Sequence, residues 1–287
     1  MECTRNDQKI TTMNKYLNYV RSIVENIEQA EGITLSSTSF GKANSFVKGD
    51  KKILLFSPHP DDECIIGLLP LRLQRELNYQ VVNVPMTFGS NPERRDGRLV
   101  ELENACAYLG WHNYRARTDL ESLTVDDVVR ILLDLKPEII VFPHDGDWNS
   151  RHIEVHHILL ESLRKMPIEF SCLIVESEFW GAMDTPNTHV EANVEQLSEL
   201  ITATAYHVEE VARNPYHLRL PAWMQDNVRR GAELVGGQGK AAPAFQFSTL
   251  YRVQIWKQSK LRSFYENGRV IPCGSENLKF ISQWKSL

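Results

Sequence analysis

At 287 residues, with 42% hydrophobic and 24% charged side chains, the chain has room for one large α/β domain or two small ones and an ordinary globular makeup. A formal net charge of −5 speaks against a general binder of nucleic acid or anionic membrane, which would need a basic excess. No stretch approaches the roughly 18 uncharged apolar residues of a membrane span, the opening MECTRNDQKITTMNKYLNYV lacks the apolar core of a secretory signal, and the five cysteines are scattered without a CxxC. A cytoplasmic protein with no membrane span and no disulfide framework is expected.

In chain order, Met13, Tyr16, Leu17, Val20, Ile23, Val24 and Ile27 predict a helix near 13–30, packed on the main body. From residue 51 short β-rich runs alternate with helical patterns. Strands are expected at 53–56, 81–88, 138–142 and 172–177, and helices near 64–77, 97–109, 124–135, 152–165, 191–212 and 217–237. Residues 247–256 alternate as a late strand, with Phe247, Leu250, Tyr251 and Val253 as its core stripe. Continuous apolar strands between helices imply a Rossmann-like α/β fold: an open, mostly parallel sheet with helices on both faces, three layers deep. The expected organisation is a helical extension over 1–50, a single main domain over 51–257 and a tail over 258–287 packed on it. The glycines of 234-LVGGQGKAAPA-244 mark the loop expected to move most.

Two loops carry the chemistry. In 53-ILLFSPHPDDECIIGLL-69 an apolar strand runs into one imidazole and three carboxylates before apolar residues resume. Carboxylates that close together repel and resist leaving water unless a cation compensates them. The second loop, 143-PHDGDWNSRH-152, follows another strand. Clefts in parallel sheets form outside the carboxyl ends of the strands, so both loops are expected at one rim. His, Asp and Glu without Cys suit zinc or another divalent transition metal. Pro60 stiffens the first turn, letting His59 and Asp62 converge on an ion with Asp61 beside it. The competing reading is a solvated turn in which Asp62 and Glu63 serve as first-turn acids.

The stretch 58-PHPDDE-63 ahead of an apolar helix resembles the signature of the LmbE/PIG-L family of zinc-dependent N-acetylglucosaminyl deacetylases. The segments 98-RLVELENACAYLG-110 and 137-PEIIVFPHDGDWNSRH-152 agree, as does 242-APAFQF-247, with Pro243 where the family usually carries Glu. The resemblance spans roughly 51–256. It implies that His59, Asp62 and His152 hold zinc, with His156 one helical turn on as the rival third ligand or a supporting group, and that Asp61 is the general base. Arg98 would hold substrate hydroxyls, or pair with Glu101 or Asp96; Glu63 would orient a ligand or cap the helix; Trp148 would form a sugar-stacking wall or a packing lid. Asn149 stands where the family has a histidine associated with stabilising the tetrahedral transition state. Asparagine donates a hydrogen bond but carries no proton, so the helper is Asn149, or His144 if its loop folds inward rather than leaving it exposed.

The implied activity is hydrolysis of the acyl amide of an N-acylated sugar, such as an N-acetylglucosamine conjugate, by metal-activated water. A phosphoester hydrolase remains an alternative, although it would call for a second metal or more basic residues and the second loop supplies only Arg151. So does a non-catalytic sugar- or nucleotide-binding module, against which no GxGxxG follows the first strand. Substrate choice is expected to reside in the loops at 88–97, 178–191 and 234–246. Family members often form homo-oligomers, and the oligomeric state here stays open.

Overall fold

The computed structural model describes residues 14–35 and 44–286. Residues 1–35 and 36–287 form two units. The first contains the expected helix as α1, Leu17–Glu31; Met13, part of its predicted apolar stripe, lies outside the described residues.

The second unit is built on a nine-stranded sheet. Its parallel half comprises β1 (Lys52–Ser57), β2 (Gln80–Pro85), β3 (His112–Asn113), β4 (Ile139–Pro143) and β5 (Cys172–Ser177), in the spatial order β3-β2-β1-β4-β5. Leu55 lies opposite Asn83 on one side and Val141 on the other. Beyond β5 the sheet turns antiparallel. β7 (Phe247–Lys257) runs against β5; its first half pairs β6 (Thr188–Ala192) and its second half β8 (Lys260–Ser263), while β9 (Arg269–Ile271) adds in parallel to β6.

The strands of the parallel half are apolar throughout because both faces are covered. Leu54, Phe56, Val82, Val84, Ile140, Phe142 and Ile174 share one core with Val128, Ile131 and Leu132 of α5 (Val125–Leu135) and Val155, Leu159 and Leu163 of α6 (Ser150–Lys165). The intervening Ile53, Leu55, Val81, Ile139, Val141 and Leu173 are equally buried and point the other way, as the two-residue strand period requires. On that side α3 (Leu68–Leu77), α4 (Arg95–Leu109) and α7 (Val194–Ala205) pack with one another, α3 and α4 also reaching β2 and β3. This is the Rossmann-like α/β arrangement expected.

Some elements differ from expectation, and each difference has a local cause. The helix expected at 64–77 is two helices, α2 (Asp62–Ile65) and α3, with Ile66 and Gly67 between them. A side chain at Gly67 would place its Cβ 2.6 Å from the Trp111 ring, so only glycine permits this approach. The buried Tyr251 hydroxyl bridges the break, donating to the Ile66 carbonyl at 2.9 Å and accepting from the Leu69 N–H at 3.1 Å. The helix expected at 191–212 begins instead with strand β6, continues as α7 and, after Tyr206 and His207, resumes as α8 (Val208–Arg213). The helix expected at 217–237 is α9 (Leu220–Leu234), preceded by a 3₁₀ turn at Tyr216–Arg219. Residues 258–287 contribute β8 and β9 to the sheet.

Tyr251→Phe removes the hydroxyl that satisfies both groups of the α2–α3 break. Leaving two buried backbone groups unpaired is expected to cost about 2 kcal/mol, read as a lower urea midpoint with an unchanged m-value.

Candidate active site

The strand order reverses between β1 and β4, and the loops leaving their carboxyl ends meet there. Asp62, the first residue of α2, is buried and central to the meeting. Its Oδ2 accepts from the His59 N–H at 2.9 Å and lies 3.4 Å from His59 Nδ1 and 3.3 Å from His152 Nε2. The two imidazole rings are 5.6 Å apart between centroids. Trp180 Nε1–H reaches the other carboxylate oxygen at 3.4 Å. Donor atoms of His59, Asp62 and His152 all lie within 4.8 Å of one another.

These residues fit a metal ion. His152 Nε2 is buried and has no hydrogen-bond partner, while Nδ1 is held 3.2 Å from Asp147 Oδ2. That is the arrangement of a metal-binding histidine, one nitrogen oriented by a carboxylate and the other left for the metal. Burial raises the pKa of Asp62, but the imidazoles of His152 and His59 outweigh it and hold the carboxyl well below its usual range. Burial pulls His152 down, but Asp62 and Asp147 push it up to about 10.

Asp61 sits beside this cluster in a conformation that L residues rarely adopt, φ 122° and ψ −35°. Two contacts hold it there. Its N–H donates to Glu63 Oε2 at 2.9 Å, and the buried Tyr216 hydroxyl donates to Asp61 Oδ2. Glu63 is itself fixed by His207 Nε2 at 2.8 Å, a pair with almost no exposure. Burial lowers the pKa of His207, but Glu63 outweighs it and favours the imidazolium. Burial and the neighbouring Asp62 carboxylate push Asp61 up to about 8. A group with that pKa can both accept and return a proton near neutral pH.

A cleft of about 650 Å³ opens over the cluster, lined by His59, Asp61, Asp62, Arg98, Trp148, Asn149, Trp180 and Tyr216 among others. Arg98 enters it from α4, paired with Glu210 at 3.2 Å and donating to the Phe88 carbonyl at 3.3 Å, so neither Glu101 nor Asp96 takes the ion pair expected as its alternative. Trp148 is 72% exposed on the rim. Asn149 caps α6, its Oδ1 accepting from the Arg151 N–H at 3.0 Å.

Two histidines stand elsewhere. His144 is buried, not an exposed loop residue, and both ring nitrogens are engaged, Nε2 with the Gly181 carbonyl at 3.0 Å and Nδ1 with the Gly146 N–H at 3.1 Å. It does not line the cleft. His156 packs under the loop, with Nδ1 3.1 Å from the Pro143 carbonyl and 3.3 Å from Glu176, outside the donor cluster.

The residues that sequence reasoning missed are Asp147, Trp180, His207 and Tyr216. Asp147 lies within the quoted loop, five residues before the histidine that it faces. The other three come from 118 or more residues away, and nothing in their local sequence marks them.

Comparison with known proteins bears on the family and the fold. Residues 54–163 match the protein-family model described as PIG-L, GlcNAc-PI de-N-acetylase, bearing out the family resemblance carried by the HPDD stretch. Among solved structures, the zinc-inhibited form of teicoplanin deacetylase Orf2 is 14% identical, covering 71% of this chain and 98% of its own, with a TM-score of 0.52. The A40926 pseudoaglycone deacetylase Dbv21 is 13% identical over 72% of this chain and 98% of its own, also with a TM-score of 0.52. GalB, a 4-carboxy-2-hydroxymuconate hydratase from Pseudomonas putida KT2440, is 15% identical over 71% and 95%, again with a TM-score of 0.52. At these identities the likeness is one of fold, and it extends to more than one chemistry. None of the curated proteins compared with the chain matches it.

Zinc added to chelator-treated protein is expected to bind at one equivalent and to displace the His152 proton, since metal and proton need the same nitrogen lone pair. Binding should therefore release protons, measured by calorimetry in buffers of different ionisation enthalpy, and weaken as pH falls. His152→Ala is expected to abolish stoichiometric binding.

Proposed function

We propose that the protein is a metal-dependent hydrolase that removes an acetyl or other acyl group from the nitrogen of an N-acylated sugar, such as an N-acetylglucosamine conjugate. The observation that carries this reading is the buried, unpartnered His152 nitrogen facing Asp62 and His59, next to an Asp61 held in a strained backbone. The match of residues 54–163 to a de-N-acetylase family supports the same reaction class.

His59, Asp62 and His152 would hold the ion, with zinc best suited to this donor set. A bound zinc would supply an acidified water and polarisation of the acyl carbonyl. The chain's own groups do the rest. Asp61 takes the proton of the attacking water and gives it to the departing amine, yielding a carboxylic acid and a free amino sugar. Tyr216 fixes the carboxylate that moves this proton. The side-chain amide of Asn149, at the rim of the same cleft, donates to the developing oxyanion as a neutral group where the family carries histidine. His144, with both nitrogens spent, is not needed for this role. Arg98 and Trp148 frame the sugar.

The setting is read as cytoplasmic. Cys64, Cys106, Cys172 and Cys273 are free thiols, in keeping with a reducing compartment. No helix among the described residues is long and apolar enough to cross a membrane.

The test is release of acetate and free amine from N-acetylated sugars in the presence of zinc. Asp61→Asn is expected to lower kcat by about 10³-fold or more while one zinc stays bound; full turnover in that variant would overturn the assignment of the base. Tyr216→Phe is expected to lower kcat by about 10- to 100-fold with KM nearly unchanged, because it loosens the base and not the substrate.

A further inference from the structure

The cleft over the donor cluster is also lined by Arg94, Arg98 and Arg213, which arrive from three separate places: the end of the 3₁₀ turn Pro92–Arg94, α4 and the last residue of α8. All three converge on one carboxylate. Glu210 lies 3.0 Å from Arg94 Nη2 and 3.2 Å from Arg98 Nη2, and accepts from Arg213 Nη2. Glu210 is buried, which raises its pKa, but the three guanidiniums outweigh this and keep it ionised. Glu209, which accepts from Arg94 Nε, is 59% exposed, and Glu101 spends Oε1 on the Glu209 N–H; neither lines the cleft. Three guanidiniums at the cleft therefore share two carboxylate partners, Glu210 with all three and Glu209 with Arg94 alone.

Two further features bear on Arg98 at the centre of the cluster. Arg98 Nε is buried without a hydrogen-bond partner. Gly89, at φ +91°, leaves the space that Arg98 occupies, since a Cβ there would stand 2.6 Å from Nη1. A purely structural ion-pair cluster would balance its charges and spend its donors; here three guanidiniums beside the cleft outnumber their two carboxylate partners, and Arg98 Nε is unspent. Guanidinium forks match the planar oxygens of carboxylate and phosphate, and such charge-assisted bonds are stronger than neutral ones.

We propose that Arg94, Arg98 and Arg213 form a subsite for an anionic group, a phosphate or a carboxylate, carried by the N-acylated sugar; this rests on the deacetylase reading of the same cleft. The neutral amide then lies at the donor cluster and the charged substituent at the arginines. Discrimination comes from the pairing that a neutral sugar leaves unmade.

The test compares three probes with zinc-supplemented protein: methyl N-acetylglucosaminide, N-acetylglucosamine 1-phosphate and carboxymethyl N-acetylglucosaminide. At least one charged probe should show kcat/KM about 10-fold or more above the neutral one, mostly through KM, and the better of the two identifies the oxyanion. Arg213→Gln and Arg94→Gln should each bring that ratio toward one; the Arg213 side chain is 73% exposed, so its replacement leaves the fold intact. Equal turnover of neutral and charged probes, or a preference unchanged in both variants, would overturn the proposal. If no probe is deacetylated, equilibrium binding of the same three decides. Tighter binding of a charged probe that is lost in Arg213→Gln keeps the anion subsite and removes the deacetylase reading, whereas equal or absent binding removes both. Inorganic phosphate released in place of acetate supports the subsite and replaces the deacetylase with a phosphoester hydrolase.

Discussion

β1 and β4 pair in parallel at the point where the strand order reverses, so the chain leaves both strands at the same rim and in diverging directions. That geometry opens a crevice whose floor is sheet and whose walls are the two exit loops. Whatever residues follow Ser57 and Pro143 must face each other across a few ångströms. The site is thus a consequence of topology first and of side-chain chemistry second. The fold alone does not fix the reaction, and a hydratase is among the structures that share it.

Facing acidic loops into a crevice has an energetic cost, and the surrounding residues show how it is met. Asp62 is flanked by two imidazoles, and Glu63 is matched by His207 in a pair fully shielded from water. Asp61 alone lacks a cationic partner in contact; the Tyr216 phenol holds its carboxylate and Glu63 holds its backbone N–H. Burial without a compensating charge favours its neutral form, the condition of a group that exchanges protons. Three adjacent carboxyls therefore have three different environments. One is suited to a metal, one to proton transfer and one to structure.

Much of this was legible in the sequence because it is local. The β-rich runs at 53–56, 138–142 and 172–177 are bounded by turn residues, and His59, Asp61 and Asp62 lie within four positions. Long-range partners left no such trace. Tyr216 and His207 look like ordinary residues at helix ends; their roles exist only because α7 and α8 part at His207 and a 3₁₀ turn follows. β6 straddles the expected loop at 178–191 and the start of the expected helix at 191–212, because a five-residue strand with buried Thr188 and His189 lacks an apolar run. His144 defeated the reading in another way: a histidine in a polar loop is expected to face solvent, yet this one folds inward to tie Gly146 and Gly181 together.

The contact between Glu63 and His207 joins residues 144 positions apart. A chain halted after residue 152 and before residue 207 already owns His59, Asp62 and His152 but lacks the imidazole that steadies Glu63 and the phenol that grips Asp61. During synthesis, the donors proposed to hold an ion are thus complete long before the residues that fix Glu63 and Asp61.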